Sequence, residues 1–264
     1  MFNSLFRMND IALFILLNCA SIIISFIAVF IVNRTIPLKK RYKDNTVIGS
    51  TAAVIAVIYG VLAGLAALYL INNNSYTSDA VLREANAAAD IYRDSKVMED
   101  SLRVNIQTEI KNYLIQAINV EWPLMEKGRK VYDDGGTDII NQLTKELMGY
   151  AGTSNTQLLL VHDMLDQIRA LYDAREQRIQ MSYSELSPEL WVVILIGTIL
   201  TLCINYLFGM NIYLHMVMVF AAALMTSSMI FLLITLDRPF QGQFIVGPDA
   251  LRSVLAVIDK DTRT

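Results

Sequence analysis

Four long apolar runs set the pattern of this chain: Ile11–Val32, Val47–Ile71, Leu190–Phe208 and Ile212–Leu236. Each is close to the roughly 20 residues that a helix needs to cross a bilayer. None contains Asp, Glu, Lys or Arg. Between the second and third runs the period changes. Val81, Ala85, Ala88 and Tyr92 recur at steps of four, three and four, the stripe of an amphipathic helix.

The second run continues into that stripe without a proline, so Val47–Val97 reads as one pillar of roughly 75 Å at about 1.5 Å per residue. Asn72-Asn73-Asn74-Ser75 is the place where it would otherwise bend into two helices. Small residues recur along one side of the membrane half: Gly49, Ala53, Ala56, Gly60, Ala63, Gly64 and Ala67. Gly60 and Gly64 form a GxxxG pair, which lets a second helix approach closely where lipid provides no hydrophobic drive for association.

The intervening segment reads as helical throughout. Leu102, Ile106, Ile110, Tyr113, Ala117 and Val120 make an amphipathic stripe. Pro123, in Glu121-Trp122-Pro123, predicts a kink or restart. Asp133-Asp134-Gly135-Gly136-Thr137-Asp138 is a turn, with Thr137 or Asp138 capping a short helix to about Met148. Gly149 and Gly152 stop that helix. Thr153 or Ser154 then opens a long one, whose seam is drawn through Leu158, Val161, Leu165, Ile168, Tyr172 and Ile179. Ser187-Pro188-Glu189 opens the third span as cap, first-turn proline and first-turn acid, and Trp191 is expected to anchor at the interface. An irregular strip and a short amphipathic tail helix close the chain. The expected fold is all-α: a four-helix transmembrane bundle with an inserted helical extramembrane domain. Its divisions are 1–71, 72–188, 189–236 and the tail 237–264.

Composition agrees, with 54% apolar residues and a mean hydropathy of +0.42. The first run is too long for a signal-peptide core, and Asp10 precedes it. Leu16-Leu17-Asn18-Cys19 has only a faint likeness to a lipidation box, because the apolar run continues well past the cysteine. Cys19 and Cys203 both lie in spans, so no disulfide framework is implied.

Charge sets orientation. The first inter-span link carries Arg34, Lys39, Lys40, Arg41 and Lys43 against Asp44 alone, which places it in the cytoplasm. The N-terminus, the 72–188 domain and the C-terminus are then periplasmic, in an inner membrane. The 72–188 domain holds 12 Lys and Arg against 18 Asp and Glu. No basic face exists for nucleic acid.

Candidate chemistry is sparse. His162 and Asp166 are one helical turn apart, beside Asp163, and read mainly as a solvated face. The Asp133–Asp138 turn lacks the spacing and closing glutamate of a calcium loop. No nucleophile elbow, phosphate loop or zinc pattern appears, so neither catalysis nor a cofactor nor a metal is expected. In the first span Asn18, Ser21 and Ser25 can hydrogen-bond across to another helix or back to their own helix's carbonyls, and the second is the favoured expectation. Thr198, Thr201 and Asn205, with Thr226, Ser227 and Ser228, fit a wet path or helix contacts equally. His215 is expected to face headgroups. No ionisable residue sits at a span centre, which counts against a proton-coupled transporter. Asp237 and Arg238 read as a capping pair at the membrane edge, or as candidate pore-mouth charges.

Several segments together resemble a bacterial four-span membrane family described as bestrophin-like. They are Arg83-Glu84-Ala85 to Ala89-Asp90-Ile91-Tyr92-Arg93, Glu121-Trp122-Pro123, Leu190-Trp191 to Tyr206-Leu207-Phe208-Gly209, and Leu236-Asp237-Arg238-Pro239-Phe240-Gln241-Gly242. The resemblance runs from Gly49 onward. It implies a distant relation to bestrophins, pentameric anion channels whose pore is lined by the second membrane helix. This chain departs in placing its helical domain outside, and its acidic balance favours cations at the entrance, so anion selectivity is not carried over. Two functions are expected. One is an oligomeric ion channel, a tetramer or pentamer in the lipid bilayer passing inorganic ions past the second span. The other is a sensory or scaffolding protein whose outer domain binds a partner.

Overall fold

A computed structural model describes residues 9–131, 135–150, 154–241 and 246–262. Asp133 and Asp134 of the acidic turn, Gly152, Thr153 and Gly242 lie outside the described residues. Among the described residues, every regular element is helical. The chain forms two compact units.

The first unit gathers the chain up to Asn72 with Glu185–Arg238. It contains α1 (Asp10–Thr35), the short α2 (Leu38–Lys43), the first part of α3 (Asn45–Asp94), α8 (Pro188–Tyr206) and α9 (Ile212–Leu236). Helices α1, α3, α8 and α9 are each long and apolar enough to cross a membrane. Pro37 forces Ile36 into extended backbone and ends α1. Ser187 caps α8, its Oγ accepting from the Leu190 N–H at 3.4 Å. The packed interior is thin: Leu13, Tyr59, Ala63, Leu70, Ile194 and Leu233 form its larger cluster. Val29, Tyr206 and Val219 form a smaller one.

The second unit gathers Asn73–Ser184, Pro239–Gln241 and the tail helix. The stretch through the asparagines stays helical, since α3 is a single helix of 50 residues. Its Val81, Ala85, Ala88 and Tyr92 are all buried, as their spacing predicts. They pack with α4 (Asp100–Gln116), α6 (Gly136–Met148), α7 (Asn155–Met181) and α10 (Asp249–Asp261) around Ile110, Trp122, Leu143 and Leu171.

Pro123 acts on the turns before it. Lacking an N–H and crowding the carbonyl four residues back, it is preceded by a π-turn, Ala117–Glu121, and followed by α5 (Trp122–Glu126). The Trp122 N–H reaches the Ala117 carbonyl, five residues back. That extra residue turns Glu121 inward and leaves Val120 outside.

One expected boundary and one expected seam are corrected, and another boundary holds. Gly135, in the left-handed region at φ 88°, is the N-cap of α6, which starts before Thr137. Ser154 caps α7 with a full capping box to Gln157. The α7 seam is rotated: Leu158 and Tyr172 are exposed, and the buried line runs Val161, Met164, Ile168, Leu171, Arg175, Arg178. Steps of three and four carry that line into two arginines, so the drawn seam had moved onto the neighbouring apolar face.

Candidate functional site

The membrane half of α3 divides its small residues between two flanks. Ala63 and Ala67 are buried against the first unit's own interior. Gly49 is half-buried, with the Phe208 ring 3.8 Å from where a Cβ would stand. Ala53, Ala56, Gly60 and Gly64 face outward, and a Cβ added at Gly60 or Gly64 would meet nothing within 4 Å. Tyr59, beside this flank, packs the other way. Its Cδ2 lies 2.8 Å from a Cβ built at Gly197, and its hydroxyl is 3.1 Å from that of Thr198.

Polar groups in the spans join helices more than the first-span reading expected. Ser227 and Ser228 donate to Asn18 Oδ1 at 2.7 and 3.3 Å, and Asn18 Nδ2 donates to its own helix at Phe14. Ser21 donates to the Ala223 carbonyl at 3.4 Å, and the Ser25 and Tyr206 hydroxyls are 2.8 Å apart. The preference for own-helix carbonyls is therefore corrected for Ser21 and Ser25, which reach across. Asn205 and Thr226 do bond within their own helices. His215 is buried, and its Nε2 lies 3.0 Å from the Asn205 carbonyl, so it caps the end of α8 instead of facing headgroups.

The two inter-span links close on each other. Asn45 Nδ2 donates to the Gly209 carbonyl and Asn45 Oδ1 accepts the Gly209 N–H, both at 2.8 Å. Arg41 is 4% exposed; it donates to the Phe208 carbonyl at 3.0 Å and to Asn33. These partners are neutral, but Phe208 and Asn33 lie at or near the C-terminal ends of α8 and α1, where free carbonyls carry partial negative charge. Gly209 must be glycine, because a Cβ would fall 2.7 Å from the Arg41 carbonyl carbon.

At the other end, Asp237 and Arg238 are both engaged inside the first unit. Asp237 is buried and accepts from the Leu186 N–H at 2.6 Å and from Trp191. Arg238 pairs with Glu185 at 2.8 Å. Trp191 is itself buried in the packed interior, which corrects the interface-anchor reading.

The second unit holds a cluster that periodicity missed. Arg178 on α7 pairs with Glu84 on α3 through Nε at 2.6 Å and Nη2 at 2.9 Å, and with Glu121 at 2.5 Å. Arg175 pairs with the other Glu121 oxygen at 2.8 Å and donates to Thr137 Oγ1 at 2.9 Å. Thr137, expected as a cap, is thus a ligand of the arginine. Tyr113 donates to Glu84 at 2.5 Å, and Arg178 lies 5.2 Å from the Trp122 ring. All five of these ionisable groups are buried. Burial alone would raise the Glu121 pKa; the charges of Arg178 and Arg175 outweigh it and hold the carboxyl below its usual range. Burial pushes the Tyr113 phenol well up, and the Glu84 charge adds to it. The two buried acids and two buried bases cancel, and Arg175 also reaches Glu176 at the edge of the cluster at 3.4 Å. Glu84 and Glu121 come from two of the segments that carry the family resemblance; only a pairing across the fold identifies Arg175 and Arg178.

His162 and Asp166 are 3.3 Å apart on an exposed face, and Arg169 also holds Asp166. Among the described residues no group of three or more His, Cys, Asp or Glu is placed to hold a metal.

Four apolar helices joined to a helical unit define an all-α membrane protein. The chain belongs to the Bestrophin-like family, whose domain model matches residues 19–251. Among solved structures it is similar to a bacterial bestrophin homologue from Klebsiella pneumoniae. Two single-residue variants of that protein superpose with TM-scores of 0.71 and 0.69, each at 11% identity over 95% of this chain and 99% of the other. A structure described as a membrane protein matches with a TM-score of 0.65 at 12% identity, over 94% of this chain and 96% of that one. No curated protein matches the chain. At these identities the structural likeness establishes the fold.

Proposed function

We propose that this chain is a subunit of an oligomeric ion channel of the bacterial inner membrane, with the membrane half of α3 facing the path. Membership of the Bestrophin-like family supports the kind of function. The observation that carries the pore assignment is the open flank of α3: Ala53, Ala56, Gly60 and Gly64 have no cover from their own bundle, although Ala63 and Ala67 beside them do. With Gly49, these residues would permit close helix approach or a narrow apolar constriction that gates by dewetting. The assembly would be a closed ring of four or five copies. The basic link would face the cytoplasm and the 72–188 domain the periplasm, where its excess of acids would favour cations at the entrance. Asp237 and Arg238 would close the outer end of the bundle.

Purified protein in liposomes, assayed for potassium, sodium and chloride flux beside the mass of the assembly, tests this reading. Flux from a tetramer or pentamer that is lost in Gly60→Leu and Gly64→Leu supports it. A two-fold dimer without flux would favour the sensory or scaffolding role instead. A reporter fused at Lys40, with protease shaving of spheroplasts, tests the orientation.

A further inference from the structure

The short helix α2 has an inner and an outer side, and the inner side is fixed. Arg41 points inward, bonded to the Phe208 carbonyl and Asn33, and Gly209 packs on the backbone at Arg41 and Tyr42. Leu38 and Tyr42, one helical turn apart and so on one face, are 51% and 70% exposed. Lys39 and Lys43 form a second such pair next to them, with Lys40 beyond. These lysines and Arg34 are exposed, and among the described residues none makes an ion pair or side-chain hydrogen bond. Some exposed cations elsewhere in the protein, Arg93, Lys96, Lys111 and Arg169 among them, have carboxylate partners, whereas Lys127, Arg129 and Lys130 make no ion pair among the described residues. The link offers only Asp44. α2 therefore displays an apolar pair flanked on one side by unneutralised cations, on a helix held against the ends of two membrane spans.

We propose that α2 is a docking surface for anionic phospholipid headgroups. Lys39, Lys40, Lys43 and Arg34 meet the phosphates, while Leu38 and Tyr42 reach the acyl boundary, the arrangement of an interfacial amphipathic segment. Charge complementarity selects the occupant: four free cations at the edge of a bilayer match a lipid phosphate, and the apolar pair beside them favours a phosphate that carries acyl chains. The pin at Arg41 fixes the height of these cations relative to the spans. The surface does not depend on ion conduction.

The test is the lipid preference of the full-length protein in mixed vesicles. Spin-labelled phosphatidylglycerol is compared with spin-labelled phosphatidylcholine at the protein boundary by electron paramagnetic resonance. Wild type should prefer phosphatidylglycerol about fivefold or more, the factor that one lysine near an anionic surface contributes, and the preference should weaken as salt rises. The triple variant Lys39→Gln, Lys40→Gln, Lys43→Gln should lose most of it. The same charge removed elsewhere, in Lys127→Gln, Arg129→Gln, Lys130→Gln, should leave it intact. No preference in wild type, an unchanged preference in the first variant, or equal loss in both variants would overturn the proposal. Competition by inorganic phosphate at matched ionic strength would also overturn it, since a free anion would then satisfy the site.

Discussion

Arg178 grips Glu84 through two nitrogens, at 2.6 and 2.9 Å, with both side chains fully buried and their positions 94 apart in sequence. Removing one partner of such a pair leaves an uncompensated charge. Arg178→Ala is therefore expected to cost about 3–5 kcal/mol, read as a lowered melting temperature of the solubilised protein. The double variant Glu84→Leu, Arg178→Met should cost less than the single ones together, because Glu121 keeps Arg175. Additive losses would mean that the pair is not coupled.

Acid should reach the same cluster through Glu121. Its folded carboxyl is held below the usual range by Arg178 and Arg175 against the opposing effect of burial. The stability it contributes is full above its unfolded value of about 4.3, and is lost as pH falls through the lower folded value. The melting temperature should hold from pH 7 to about 5 and fall below about 4. Glu121→Gln should flatten that acid limb. The arginines act in the opposite sense: their pKa values are raised in the fold, so their contribution is complete below the unfolded value and fails only at strongly alkaline pH.

Gly136 is sealed into the cluster. A Cβ there would stand 2.5 Å from Glu121 Oε1 and 2.7 Å from Arg175 Nε. Gly136→Ala should cost about 1–3 kcal/mol by overpacking, despite alanine's better helix propensity. A rise in thermal stability would contradict this geometry.

At the links, Asn45→Ala strips an acceptor from the Gly209 N–H and a donor from its carbonyl. The expected loss is about 1–3 kcal/mol for each buried group left unmade. Gly209→Ala should be comparably harmful, because its Cβ meets backbone that cannot step aside. Gly60→Ala, where the space within one chain is open, supplies the contrast. Differential scanning fluorimetry of the three variants in one detergent reads the order.

Much of the fold could be read from residue pattern, because spans and amphipathic stripes are local. The four apolar runs, the α3 and α4 stripes, the Ser154 cap and the Ser187 cap each depend on residues within a few turns. The cluster depends on residues far apart. Arg175 and Arg178 sit in a charged stretch that looks like a solvated face, and their partners lie on α3 and on the π-turn. Pro123 announced a disturbance without saying which way Glu121 would turn. Ser25 gave no sign of Tyr206, since a hydroxyl in a span can satisfy itself within its own helix at no cost in pattern. The flank of α3 was visible as small residues, but which of them their own bundle covers depends on Tyr59 and Gly197.

The amide handshake between Asn45 and Gly209 has a bearing on biogenesis. Its two halves are 164 residues apart, so the ribosome delivers the first hairpin, then the whole polar middle of the chain, before Gly209 exists. Until then Asn45 lacks both of its Gly209 partners, and Arg41 has Asn33 but not the Phe208 carbonyl. The contact that joins the two links therefore forms only after both hairpins have been made.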